Sequence, residues 1–283
     1  MILVTGATGT SGAAIVNALV GLGVRFRAMV RDPARARPIE LPGVELVTGD
    51  FNDPASLERA LGGVERALLL SNPDPEQIRL QSNFIQAAKR AGVRHVVKFS
   101  AQGAAPDAPN MFARWHGQTE DELKRAGLAW TMLQPTFFMQ NLLGLAEMIK
   151  GGTIYYPAGE GRAAHVDVRD VAAVAARCLT EAGHEGRSYV ITGPADVSFH
   201  DVAQALSRAT GRSVQYVDIP RDAAMQFLLQ TGMPQWMAEG VLELNDLLKA
   251  GKMAGVTNVV RDVGRKEPTT IDAFAREHAD RFR

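Results

Sequence analysis

The 283-residue sequence predicts an α/β protein: a doubly wound parallel sheet carrying a smaller, mostly helical C-terminal lobe. Three observations carry that expectation. Short apolar runs alternate with segments of helical spacing through the first half, a glycine-rich turn follows the first run, and the alternation stops after Pro135. Strands alternating with helices over short turns build βαβ units, whose parallel sheet is covered on both faces. Handed crossovers then leave the doubly wound sheet as the economical topology.

Ile2–Val4 reads as a short buried strand. Ile15, Val16, Leu19, Val20 and Leu22 mark a helix over Thr10–Gly23. Phe26, Ala28 and Val30 alternate with Arg25, Arg27 and Met29 as a second strand, and Val44–Val47 forms a third, ending at Gly49-Asp50. Asp53-Pro54 opens a helix to Leu61, with proline where an amide is dispensable. Ala67–Leu70 is a strand, Glu76–Gly92 a helix stopped by glycine, His95–Phe99 a strand, Asn110–Gly127 a helix and Trp130–Leu133 a strand.

Beyond Pro135 the spacing predicts a helix over Phe138–Lys150, a turn-rich piece over Gly151–Gly161, a helix over Asp167–Glu181 and a further sheet strand at Ser188–Thr192. From Ser198 the chain reads as mostly helical, with one short strand at Val214–Asp218 and a solvated C-terminal helix of mixed charge. This divides the chain into a sheet domain, residues 1–135 plus about 165–192, and a smaller lobe, 136–164 and 193–283.

Thirty-one basic residues balance 31 acidic ones, so neither nucleic acid nor an anionic membrane is the expected partner. Cys178 is the sole cysteine, which excludes an internal disulfide and fits a reducing, cytoplasmic setting. The chain opens on Met1-Ile2-Leu3-Val4 with no leader pattern, and Val171–Leu179 is far short of the roughly 20 apolar residues of a membrane helix. The six histidines are scattered, with none paired at metal-ligand spacing, and no nucleophile elbow or Gly-Lys-Ser/Thr phosphate loop occurs. A small molecule is the expected ligand, with a homodimer left open.

The segment Thr5-Gly6-Ala7-Thr8-Gly9-Thr10-Ser11-Gly12 lies between a strand and a helix. There Gly6 suits a tight turn, Gly9 close approach of backbone to a pyrophosphate, and Gly12 close packing of helix on strand. Amides and dipole at the helix start favour an anion, so this loop is expected to hold a dinucleotide. Arg31 closes the second strand, where an arginine can hold an adenosine 2′-phosphate. NADP(H) is therefore preferred, Arg35 could join the patch, and NAD(H) stays open through Asp32. Asp50 and Phe51 are placed to meet adenine, against a helix-capping role shared with Asn52 and Asp53; Ser71 and Asn72, after the fourth strand, complete the expected cofactor set.

Val4–Gly9, Val30-Arg31-Asp32-Pro33, Gly49-Asp50 and Phe99-Ser100 together resemble the atypical short-chain dehydrogenase/reductase superfamily. His116-x-x-x-Glu120, followed by Gln134-Pro135-Thr136-Phe137-Phe138-Met139-Gln140-Asn141, narrows the resemblance to the NmrA-like branch. Triphenylmethane-dye reductases and type-2 NAD(P)H:quinone reductases are similar. The resemblance implies a Rossmann domain carrying NADP(H), with a small lobe closing over the nicotinamide end. It leaves two readings open, a reductase and a non-catalytic dinucleotide sensor, because the branch contains both.

Mainstream relatives use a serine with Tyr-x-x-x-Lys on the following helix. Ser100 matches the serine, whereas counting back from Glu120 puts His116 at the lysine place and Phe112 at the tyrosine place. Phenylalanine donates no proton, so an acceptor needing little enzymatic acid is expected: a quinone, a dye or another conjugated electrophile. His116 could supply a proton or bond the ribose, or it could simply pair with Glu120. Pro135, Thr136, Phe137 and Phe138, after the sixth strand, could line the nicotinamide pocket, the Pro135 carbonyl meeting the carboxamide; Phe112, Phe138, Tyr155, Tyr156 and Trp236 could wall a flat substrate, against plain core packing.

Overall fold

The computed structural model describes residues 1–283, with the side chain of Arg35 alone excepted. Seven parallel strands form the central sheet: β1 (Ile2–Val4), β2 (Phe26–Val30), β3 (Val44–Thr48), β4 (Arg66–Leu69), β5 (His95–Phe99), β6 (Ala129–Pro135) and β8 (Arg187–Ile191). Their spatial order is β3-β2-β1-β4-β5-β6-β8, so the chain starts in the middle, winds outward and returns beside β1. The reversal between β1 and β4 opens a crevice at their carboxyl ends, where ligands of such sheets gather.

Strand parity assigns the two faces. Val4, Leu68, Val97 and Leu133 point to one side, where α1 (Thr10–Gly21) and α6 (Val168–Thr180) cover them with Ile15, Val16, Leu19, Val171 and Val174. Their neighbours Leu3, Leu69, Val96 and Met132 point to the other, beneath α2 (Pro54–Leu61), α3 (Gln77–Arg90) and α4 (Met111–Arg125). Each such aliphatic side chain contributes about 1.5–3 kcal/mol on burial. Continuous rather than alternating apolar strands are what a two-sided sheet requires. Cys178 is buried in the first layer, its thiol pushed up to about 12 by burial.

The lobe departs from the sequence reading in three places. The segment read as a helix from Phe138 is a 3₁₀ stretch over Met139–Leu145, and only α5 (Ala146–Lys150) is α-helical. A bridge between Phe138 and Val166 holds its start, and Gly144 weakens α-helical preference beyond it. The turn-rich piece contains β7 (Thr153–Tyr156), paired in parallel with β9 (Gln215–Asp218); its β-branched and aromatic residues find their partner far along the chain.

Four helices, α7 (Phe199–Thr210), α8 (Arg221–Gln230), α9 (Gln235–Lys249) and α10 (Val259–Asp262), precede the C-terminal pair α11 (Ile271–Glu277) and α12 (Ala279–Phe282). That pair is no solvated helix, because Ile271, Phe274, Ala275 and Phe282 are buried in the lobe's own core with Phe199, Val202 and Leu206. Val260 on α10 packs instead into the sheet's first layer. Among the described residues no helix is long and apolar enough to cross a membrane.

His165 lies in the lobe core, ring to ring with Phe137 at 5.7 Å, and neither of its ring nitrogens has a partner among the described residues. Burial lowers it to about 4. The unfolded chain therefore binds the extra proton first, and the stability His165 contributes is present above about 6.5 and lost as pH falls towards 4. The shift corresponds to about 3 kcal/mol at most. Denaturant midpoints should fall between pH 7 and 4.5, and His165→Leu should flatten that fall; an unchanged fall in the variant would clear His165 of the effect.

Candidate active site

The turn after β1 is held by two short-range contacts. Gly6 sits at φ +63°, a left-handed conformation glycine adopts without strain, and its carbonyl accepts the Gly9 N–H at 3.0 Å. The Thr5 hydroxyl lies 2.8–2.9 Å from the Leu68 and Leu70 carbonyls and accepts the Leu70 N–H at 2.9 Å, tying the turn to the end of β4. A Cβ on Gly12 would stand 2.0 Å from the Gly6 carbonyl oxygen, so only glycine lets α1 begin this close to the strand. No side chain caps the amino end of α1 and its first turn carries no acid. Its leading amides and dipole thus face the crevice, an arrangement that suits an anion.

A cavity of about 370 Å³ runs from that turn across the carboxyl edge of the sheet. Gly6, Gly9, Thr10, Ser11 and Gly12 form one end. Ser71 and Asn72 follow β4, Ser100 follows β5, and Pro135, Thr136, Phe137 and Phe138 lie at and beyond the end of β6. Phe112 and His116 enter from α4, while Leu244 and Met253 close the cavity from the lobe. Four strand ends that are distant in sequence thus converge on one surface. His116 is the only titratable side chain among the lining residues.

Several candidates sit elsewhere. Thr8 and Arg31 are exposed and outside the cavity lining, and the Arg35 side chain lies outside the described residues. Asp50 closes a local turn by accepting the Asn52 N–H at 2.8 Å, while Asp53 caps α2; Phe51 packs on Phe84 at 5.8 Å. Tyr155 is 49% exposed on the outer face of β7, because Ile154 and Tyr156 take the inner one. Tyr156 stacks on Phe199 at 4.3 Å and donates to Asn245 at 2.8 Å, inside the lobe. Trp236 stands behind the cavity wall, 6.4 Å from the Phe112 ring.

The wall itself has little freedom. Phe112 fills a notch at Gly240, where a Cβ would come within 2.6 Å of its ring. Asn110 caps α4 and donates to the Gly240 carbonyl at 2.8 Å, so α9 is pinned over the cavity. Thr136 spends its hydroxyl on the Ala164 carbonyl at 2.5 Å, and the Pro135 carbonyl already accepts the Gln102 N–H at 3.0 Å. Gln102 also lines the cavity, and its buried Oε1 has no partner among the described residues; a ligand amide N–H would satisfy it.

Under the wall lies a buried polar network that the sequence reading missed. Lys98 on β5 is fully buried, with Nζ 3.0 Å from Nδ1 of the half-buried His116 ring. Burial lowers Lys98 to about 7, against the opposing pull of Glu120. Burial, then the nearby Lys98, holds His116 well below its ordinary value, so the ring is neutral near pH 7. Ser100 donates to Glu120 Oε1 at 2.6 Å and Gln134 donates to the same oxygen at 2.9 Å, so the serine's proton is turned away from the cavity. The missed signal was a lysine in a strand covered on both faces, which must be partnered.

Residues 1–275 match the NmrA-like family. Over its whole length the chain is 42% identical to the NAD(P)H azoreductase of Xenophilus azovorans, spanning 99% of that protein. Among solved structures, the NADPH complex of an Escherichia coli quinone oxidoreductase superposes with a TM-score of 0.91 at 28% identity, covering 98% of this chain and 99% of that one. Triphenylmethane reductase of Citrobacter sp., complexed with NADP(H), gives 0.89 at 28% identity, covering 99% and 100%. The glycine turn, the strand order and these likenesses span nearly all of the sequence, and the chain belongs to the NmrA-like family.

Proposed function

We propose that this protein is an NADPH-dependent reductase that passes hydride to a small, flat, conjugated acceptor of the azo, dye or quinone type, and that it works in the cytoplasm. One observation carries the acceptor class: beyond the glycine turn the cavity presents Phe99, Phe112, Phe137, Phe138, Leu244 and Met253 among neutral polar side chains, with no carboxylate and no lysine or arginine. No ionic group there would select a charged substrate, whereas a conjugated ring system finds Phe112, Phe137 and Phe138. The azoreductase, quinone and dye activities named for the relatives all concern acceptors of this kind. A non-catalytic sensor is the less favoured reading.

When bound, the nicotinamide cofactor supplies the hydride. This chain's own residues bind and orient. Amides at the start of α1 meet the diphosphate, and Arg31 at the end of β2 answers a 2′-phosphate. Gln102 offers a buried acceptor towards the carboxamide, and Phe112 and Leu244 keep water from the acceptor side. Ser100 is held by Glu120 and lends its oxygen, not its proton. Phe112 in the place of a tyrosine removes the phenolic acid that alcohol-forming relatives use, which favours an acceptor that can stabilise the incoming electron pair.

Purified protein should oxidise NADPH with quinones and azo dyes, followed by cofactor absorbance; tight cofactor binding with no turnover on any acceptor would instead favour the sensor. Arg31→Ala should weaken NADPH by about tenfold or more, the worth of a charge-assisted bond, while NADH changes little. Equal losses in calorimetric titrations would unseat Arg31 as the phosphate contact. Gly12→Ala forces the Gly6 carbonyl or the helix start to move, and should cost dinucleotide affinity about tenfold or more with the fold retained by circular dichroism.

A further inference from the structure

Lys98 is a cation with no exposure to water, on the strand face that carries Val96 and faces α4. Its ladder partners are Leu69 and Met132, which bring no charge. The titratable groups around it are His116 and Glu120, both on α4, with the half-exposed Lys124 3.5 Å from Glu120. Its contacts are His116 Nδ1 at 3.0 Å and a long one to the Phe99 carbonyl at 3.5 Å. A buried ammonium with no carboxylate in direct contact is costly to keep, and a structural role would be served as well by an apolar side chain in this layer. What distinguishes the position is that its one short contact leads into the cavity.

We propose that Lys98 is a positioning residue and proton source for the reductase reaction, acting through His116. An ammonium has only donors, so Nδ1 of the neutral ring must accept, which places the ring's proton on Nε2, the nitrogen left for the cavity. This rests on the reductase reading above. As hydride adds to the acceptor, the oxygen or nitrogen that receives the electron pair takes the Nε2 proton. Lys98 then passes a proton to Nδ1, leaving a neutral amine and a neutral imidazole in the other tautomer. Hydride plus that proton complete the two-electron reduction, and water restores the lysine after product leaves. The low value of Lys98 and the neutrality of His116 suit this exchange, since neither partner has to hold a second charge in the layer.

The test compares two acceptors in wild type and Lys98→Met. A benzoquinone needs a proton as well as hydride; a cationic triarylmethane dye is neutralised by hydride alone. The ratio of quinone to dye kcat/KM should fall about tenfold or more in the variant. Wild-type quinone turnover should decline as pH rises through about 7, where the ammonium is lost, with no such limb on the dye and none in the variant. Nitrogen NMR of the ligand-free protein supplies a readout without turnover: His116 should carry its proton on Nε2, with its Nδ1 resonance displaced by the hydrogen bond from Lys98, and that displacement should vanish in Lys98→Met. An unchanged ratio and Nδ1 resonance, or equal losses on both acceptors, overturn the assignment while leaving the reductase standing. The expected loss of the Nδ1 displacement with no turnover of either acceptor by wild type upholds the pairing and defeats the reductase reading.

Discussion

No side chain fits between residue 12 and the carbonyl of Gly6, and the whole cavity is arranged around that constraint. It brings the amino end of α1 hard against the end of β1, at the one place in the sheet where strand order reverses. The helix amides could not face the crevice from farther away, because their field falls off within a turn. Thr5 extends the constraint sideways, since its hydroxyl couples the turn to β4 and so fixes the position of Ser71 and Asn72. The anion-binding end and the polar residues after β4 are therefore one rigid unit, set by two glycines and a threonine.

The other end of the cavity obeys a different rule. A parallel sheet covered on both faces excludes water, yet this one encloses Lys98 and Glu120 within a single layer. Each is tolerable because the other and its hydrogen-bond partners are present, Ser100 and Gln134 donating to Glu120 and His116 meeting Lys98. The consequence is an inner wall in which Ser100, Gln134 and His116 are oriented before any ligand arrives. Preorganisation of that kind is worth more to catalysis than the same groups left mobile in water.

Much of this could be read from the sequence, for physical reasons that also mark where reading stops. The element order of residues 1–135 was legible because buried strands, glycine stops and Asp-Pro starts are local signals. The glycine turn, Ser100, Phe112 and His116 were legible because strand ends and one helical face determine which residues share the crevice. Tyr155 was misplaced because its facing depends on β7, and β7 exists only through pairing with β9 far along the chain. Lys98 was passed over because a charge inside an apolar run reads as an interruption. Its partners, His116 and Glu120, lie on the next helix, and no local pattern announces them.

Replacing Tyr and Lys by Phe112 and His116 is therefore more than the loss of an acid. Residues 112 and 116 share a face of α4, so the helix aims an aromatic face and an imidazole at the cavity. The lysine of this network lies beneath the helix, on β5, and meets the imidazole from behind. The cation is thus kept one layer below a cavity surface that carries no carboxylate, lysine or arginine. A charge set at that depth leaves the lining uncharged while staying within hydrogen-bond distance of the one titratable side chain that faces the ligand.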